Sequence, residues 1–294
     1  VTDSPATVPT ADVVVVTYNP GETIGTFLAS VPKASASLGS VTVVDNASRD
    51  DTPQQAAADA GVGFVQTGRN AGYGTAANAG AQQGKAPWIL ISNADIVLGE
   101  GAIDALVAAG EADPGVGALG PLVRERDGSV YPSARPLPRL VTGAAHAILS
   151  RAWPKNPWTR RYLVPLDPAK GPRHVEWLSG SCFLVRRQAW DAVGGFDESF
   201  FMFFEDVDLG RRLGLAGYRT LWIPSAEVAH VGGHTWRSDP APMLKAHHES
   251  ARKYVKLAYP RWWHAPARAL AAAVLSARQR AEIVRAARKG QLDD

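Results

Sequence analysis

Val13 to Val16 form a continuous β-branched run ahead of Thr17 and Tyr18. A run apolar at every position, with no alternation, suits a strand covered on both faces of a parallel sheet, and it predicts a strand over 11–18. A second strand follows over 41–45. Between them Ile24, Phe27, Leu28 and Val31 recur at helical spacing, which predicts a helix over 22–33, and the alanine-rich stretch 51–60 predicts another. Strands over 62–66, 88–92 and 116–119 then alternate with helical stretches over 74–83 and 101–109. Repeated βα units imply an α/β fold with a mostly parallel, doubly wound central sheet and helices on both faces.

After Pro121 the alternation stops, and 132–172 is rich in Pro, Arg and Trp, reading as a long loop or lid. Order returns with a strand over 175–186, a helix from Gln188, a helix over 206–216 and a strand over 220–223. Pro266 is suited to the first turn of a last helix, in which Leu270, Val274, Ala277, Ala281 and Val284 form one apolar stripe. Arg268, Arg278, Arg280, Arg285 and Lys289 lie outside that stripe. The organisation expected is therefore 11–120 as one half of a domain, 121–240 as its second half, and 241–294 as a basic helical C-terminal extension.

With 294 residues, 46% of them hydrophobic, the chain can bury a sizeable core. Its single cysteine, Cys182, excludes an intramolecular disulfide framework, and no Cys/His cluster has zinc-finger spacing, so a reducing compartment is expected. The first ten residues lack a basic segment followed by an apolar one, and no signal peptide is expected. The apolar run 269–277 is shorter than the roughly 20 residues of a spanning helix, so the chain is not expected to cross a membrane.

The net charge of +3 is small and no nucleic-acid partner is expected, but 245–289 carries eleven Lys/Arg against Glu249 and Glu282. That imbalance points to an anionic partner. The extension could pack on the domain with a solvated basic face, or attach to an anionic membrane surface; Trp262 and Trp263 favour the surface, where indoles partition to the headgroup region.

Ligands of open α/β sheets bind beyond the carboxyl ends of the strands. There the chain places Thr17, Tyr18 and Asn19, then Asp45, Asn46, Ala47, Ser48, Arg49 and Asp50, then Asn93, Ala94 and Asp95. A single such Asp commonly caps the next helix; three polar strand ends together predict one binding crevice. Gly72 to Ala77 also matches a dinucleotide fingerprint, but that motif belongs in the first βα turn, and here two βα units precede it.

The ordered set resembles the nucleotide-sugar transferases of glycosyltransferase family 2, of GT-A fold, from Val13 to about Trp236. The resemblance implies that Thr17, Tyr18, Asn19 and Asn46 line a nucleotide pocket, with Asp45 accepting the imide N–H of a pyrimidine ring. Asn70, Gly72 and Asn78 match the family's N-x-G-F/Y segment, where a helix N-terminus faces the donor's negative charge. Asn93-Ala94-Asp95 stands at the D-x-D position in an N-x-D form, which makes Asp95 the main ligand for Mg²⁺ or Mn²⁺ against the diphosphate. His230, in a stretch like H-x-G-G-x-S/T, is implied at the metal or pyrophosphate.

Trp177, Ser179, Gly180 and Ser181 resemble the acceptor-side segment. Glu205 and Asp206 follow an aromatic run, Phe200, Phe201, Phe203 and Phe204, that would desolvate a carboxylate and raise its pKa toward the range of a general base. Asp206 matches the family's base and Glu205 stands beside it, whereas Asp208 is explained by the helix dipole alone.

The motif set looks most like bacterial rhamnosyltransferases. That implies an inverting, metal-dependent transfer of L-rhamnose from dTDP-L-rhamnose to polyprenyl-diphosphate-linked N-acetylglucosamine in cell-wall linker synthesis, at the cytoplasmic face of a membrane. Transfer of another pyrimidine-nucleotide sugar to a polysaccharide, or a non-catalytic nucleotide-sugar-binding module, is the alternative.

Overall fold

A computed structural model describes residues 10–139, 153, 156–157, 166–232 and 240–290. Its centre is a nine-stranded sheet. The first half runs β1 (Ala11–Thr17), α1 (Thr23–Ala34), β2 (Leu38–Asp45), α2 (Thr52–Asp59), β3 (Gly63–Gln66), α3 (Tyr73–Ala81), β4 (Trp88–Asn93), β5 (Ile96–Leu98), α4 (Ala102–Glu111) and β6 (Val116–Glu125). The second runs β7 (Ala134–Arg135), β8 (Arg173–Val175), β9 (Trp177–Leu178), β10 (Cys182–Arg186), α5 (Arg187–Val193), α6 (Glu205–Leu215), β11 (Arg219–His230), α7 (Pro240–Ala258) and α8 (Ala265–Gly290).

The strand order is β3-β2-β1-β4-β10-β6-β11-β5, with β8 on the flank of β11 and a separate β7-β9 pair. β1 pairs parallel with β2 and β4, while β10 inserts antiparallel between β4 and β6, which makes the sheet mixed but mostly parallel. The two halves of the chain therefore share one sheet.

Alternation along β1 explains the valine run. Val13 and Val15 face a core layer built with Ile24, Phe27 and Val31 of α1 and Ile103 and Leu106 of α4. Val14 and Val16 face the opposite layer, with Ala76 and Ala77 of α3, Trp190 of α5 and Leu209 and Leu213 of α6. Each fully buried aliphatic side chain contributes about 1.5–3 kcal/mol, so a strand apolar on both faces is held at the centre.

Two expectations are corrected. The strand read as 116–119 continues to Glu125, through Pro121; proline is tolerated because β11 bulges opposite it, its pairing stepping from Ile223 to Glu227 across one position of β6. The strand expected over 175–186 is broken by residues 179–181, which turn toward the site. Much of the 132–172 lid, and the end of the His230 motif from Gly233 to Thr235, lie outside the described residues.

Candidate active site

At the carboxyl ends of β1, β2 and β4 lies a crevice of about 360 Å³, with Thr17, Tyr18, Asn19, Asn46 and Asn70 on one side and Asn93 and Asp95 on the other. The turns after β1 and β2 are laced together. Asn19, held at φ +49°, donates its N–H to Ser48 Oγ at 2.8 Å and accepts from the Arg49 N–H at 2.8 Å. Asn46 Nδ2 donates to Asn70 Oδ1 at 3.0 Å, and Asn46 Oδ1 accepts from the Ala71 N–H at 2.9 Å. These bonds pre-form the polar wall.

Asp45, expected to meet the base, is engaged within the wall in this structure. Its side chain is 1% exposed and accepts from Thr17 Oγ1, the Ser48 N–H, Ser48 Oγ and Gln66 Nε2, at 3.0, 3.0, 2.5 and 2.8 Å. A carboxylate has about four acceptor sites, so this one is saturated inside the wall. Contact with a base would require Ser48 or Gln66 to yield. Asn78 is also turned inward: it accepts from the Phe196 N–H at 2.9 Å and donates to Phe196 O at 3.0 Å, pinning α3 to the loop before α6.

Asp95 stands at the β4 end. Its Oδ2 lies 3.2 Å from His230 Nε2, and His230 Nδ1 lies 3.4 Å from Glu125 Oε1. The hydrogen bond to Asp95, reinforced by Glu125, raises the His230 pKa. Asp95 Oδ1 is buried without a hydrogen-bond partner. Gly232 presses close, since a Cβ there would sit 2.1 Å from Asp95 Oδ2. An orphaned, buried carboxylate oxygen beside Asn93 fits a hard divalent cation. No group of three or more His, Cys, Asp or Glu gathers among the described residues, so donor phosphate oxygens and water would have to complete the coordination.

Across the crevice, α6 begins with Glu205, Asp206 and Asp208 in its first turn, where carboxylates favour the helix dipole. Phe203 and Phe204 before it both adopt left-handed backbone, at φ +67° and +65°. Such conformations cost on the order of 1–3 kcal/mol each and need support. α7 supplies it: Ser250 Oγ donates to Met202 O at 2.8 Å, His247 packs on both Phe rings and Tyr254 on Phe204. Burial lowers the His247 pKa to about 4, so the ring is neutral in this apolar packing.

Asp206 Oδ2 accepts from the Gly180 N–H at 3.0 Å, and Tyr73 Oη donates to Gly180 O at 2.5 Å. The acceptor-side segment, the Asn70 loop and the acid pair thus meet at one point. Burial raises the pKa of Asp206, against the lowering effect of its backbone hydrogen bonds. Burial, then repulsion from Asp206, raises Glu205 well above the carboxylate range. Glu205 Oε2 is buried and unpartnered. Asp206, with its backbone donors and some solvent access, is the more readily ionised of the pair. Asp208 is excluded as a base, being 1% exposed and held by Arg211 at 2.9 Å and Arg212 at 2.6 Å.

Within the acceptor-side segment, Trp177 is buried with its Nε1 on Pro136 O at 3.0 Å, Ser179 Oγ accepts from the Ser181 N–H at 3.3 Å, and Ser181 Oγ is buried and unpartnered. Glu125, beside His230, Arg135, near Asp206, and Met243, in the crevice lining, are site residues that the motifs do not mark. Glu125 lies at a strand end, where the strand-end rule finds it once β6 is read to its full length. Arg135, whose charge lowers the Asp206 pKa, lay in the stretch taken for a loop.

Residues 9–255 match the family described as glycosyltransferase like family 2. The chain belongs to glycosyltransferase family 2. It is 48% identical over 269 residues, 87% of each chain, to the N-acetylglucosaminyl-diphospho-decaprenol L-rhamnosyltransferase of Mycobacterium tuberculosis. Its fold matches the mannosyltransferase PcManGT from Pyrobaculum calidifontis, solved with GDP-Man and Mn²⁺, at TM-score 0.58 and 18% identity over 97% of this chain and 79% of that one. GalNAc-T7, solved with UDP, GalNAc and Mn²⁺, matches at TM-score 0.57 and 17% identity, with 77% of this chain covering 44% of that one. This chain is thus a glycosyltransferase with a GT-A fold, and the solved neighbours hold Mn²⁺.

Proposed function

We propose that this family 2 enzyme is an inverting, metal-dependent rhamnosyltransferase that moves L-rhamnose from dTDP-L-rhamnose to a hydroxyl of polyprenyl-diphosphate-linked N-acetylglucosamine. The observation that carries the reading is the 48% identity, spread over 87% of both chains, to relatives named for that transfer. The donor nucleotide would lie against Thr17, Tyr18, Asn19, Asn46 and Asn70, and Asp95 and His230, with Asn93 beside them, would hold a Mg²⁺ or Mn²⁺ ion. When bound, the ion would neutralise charge on the leaving diphosphate.

The chain's own residues supply the rest. The Gly180 N–H keeps Asp206 Oδ2 aimed beside Tyr73. Asp206 takes the proton of the acceptor hydroxyl, whose oxygen attacks the anomeric carbon opposite the leaving group and inverts it. A lipid-linked acceptor would bring the enzyme to the inner face of a membrane; among the described residues no helix is long and apolar enough to cross one.

The test is transfer from a panel of dTDP-, UDP- and GDP-sugars to a short-chain polyprenyl-diphosphate N-acetylglucosamine, with and without EDTA. Product from dTDP-L-rhamnose alone, abolished by EDTA and restored by Mg²⁺ or Mn²⁺, is expected. Preference for another donor overturns the specificity.

A further inference from the structure

We propose that the outer corner of the C-terminal helical hairpin docks on an anionic phospholipid bilayer, with the groove between α7 and α8 receiving headgroup phosphate. The proposal rests on the lipid-linked acceptor and names the residues that bring the enzyme to it.

The hairpin leaves its most apolar residues outside. α8 packs on α7 through Glu282, which meets His248 of α7 at 2.9 Å and Arg278 of its own helix at 2.7 Å, and through Gln279, which meets Arg252 at 3.0 Å. Of the apolar stripe predicted from the sequence, Leu270 is 66% exposed, Ala277 and Ala281 are exposed and Val274 is half-buried. At the corner between the helices Trp262 is 80% and Trp263 52% exposed, their rings edge to face at 5.8 Å, with the Arg261 guanidinium 5.0 Å over Trp263. Exposed indoles beside exposed leucine mark an interaction surface, and indoles favour the headgroup region.

Beside this ridge lies a groove of about 630 Å³. Arg252, Lys256 and Arg268 line it, and among the described residues no carboxylate does. The bonds of Arg252 and Arg268 go to neutral oxygens, those of Ser276 and Gln279 and of Tyr259 and Arg261, so both guanidiniums are held in place with their charge uncompensated. Three cations over an apolar floor match a phosphate headgroup with its acyl chains. A second copy of the chain is a poor occupant, because a twofold contact would set these same cations against each other.

The experiment is sedimentation of the full chain with vesicles of phosphatidylcholine, with and without phosphatidylglycerol, in the absence of acceptor. Wild type is expected to sediment only with phosphatidylglycerol vesicles and to be released by salt. Lys256→Gln should weaken partitioning about fivefold, the equivalent of about 1 kcal/mol for one basic residue. The double variant Trp262→Ala and Trp263→Ala should lose most binding, keep the wild-type circular dichroism spectrum and keep its turnover on a short-chain acceptor in detergent. Equal sedimentation of wild type and both variants would overturn the proposal, as would a dimer in sedimentation velocity that the double variant dissolves. Failure of the acceptor reading shows separately, as absence of transfer in detergent, where no bilayer is present.

Discussion

The backbone N–H of Gly180 reaches Asp206 Oδ2 across 3.0 Å, joining the acceptor-side segment to the first turn of α6. One oxygen is thereby fixed, in a setting whose burial raises the carboxyl's pKa. A base works only when ionised, so activity must rise with pH through that raised value. We expect the acid limb of the kcat profile to lie above the ordinary carboxylate range of about 4. Glu205→Gln should leave the limb in place, because burial and repulsion from Asp206 push the Glu205 carboxyl higher still. A limb at or below pH 4, or one abolished in Glu205→Gln, would reassign the titrating group.

Asp95→Asn should weaken donor binding measured by calorimetry in Mg²⁺ while leaving binding in EDTA little changed. Gly232→Ala should do the same without touching the ligand itself, since its Cβ would fall 2.1 Å from Asp95 Oδ2 and push the carboxylate aside. Unchanged Mg²⁺-dependent affinity in both variants would remove Asp95 from the ion.

Gly72 joins the crevice to the turn before α6. Its φ is +94° and a Cβ there would lie 2.3 Å from Phe201 O, the atom that accepts the Tyr73 N–H at 3.1 Å. Gly72→Ala should therefore destabilise the fold by about 1–3 kcal/mol, as a strained backbone site does, and shift the turn carrying the acid pair. Denaturant unfolding with a parallel kcat measurement checks both effects.

The first half of the fold is legible because each element carries its own local pattern: an unbroken apolar run, Val13 to Val16, for β1, and the helical spacing of Ile24, Phe27, Leu28 and Val31 for α1. The insertion of β10 between β4 and β6 is a tertiary choice with no local signal. Pro121 hid the rest of β6, since only the bulge in the partner strand makes a proline acceptable there. Strand ends pointed to Thr17 and Asp95, which the structure brings to one crevice. They could not reveal that Ser48 and Gln66 close over Asp45, or that Asn78 turns inward, because hydrogen-bond partners 21 and 118 residues away are invisible in sequence spacing.

Asp45 yields a further prediction. If Ser48 and Gln66 give way to a pyrimidine, Asp45→Ala should weaken dTDP binding; if the carboxylate stays saturated, the same change should lower thermal stability and leave affinity untouched. Our reading of the donor expects the first result, with dTDP and UDP binding more tightly than GDP or ADP in calorimetry. Tighter purine binding contradicts it.

The most direct measurement compares single-turnover transfer from dTDP-L-rhamnose by the wild type, Asp206→Asn and Glu205→Gln, with donor affinity measured alongside. We predict that Asp206→Asn loses about two to four powers of ten in rate at near-normal donor affinity, the usual range for a missing general base. Glu205→Gln, isosteric with the protonated acid, should stay within about tenfold of wild type. An Asp206→Asn enzyme that still transfers at the wild-type rate would contradict the account.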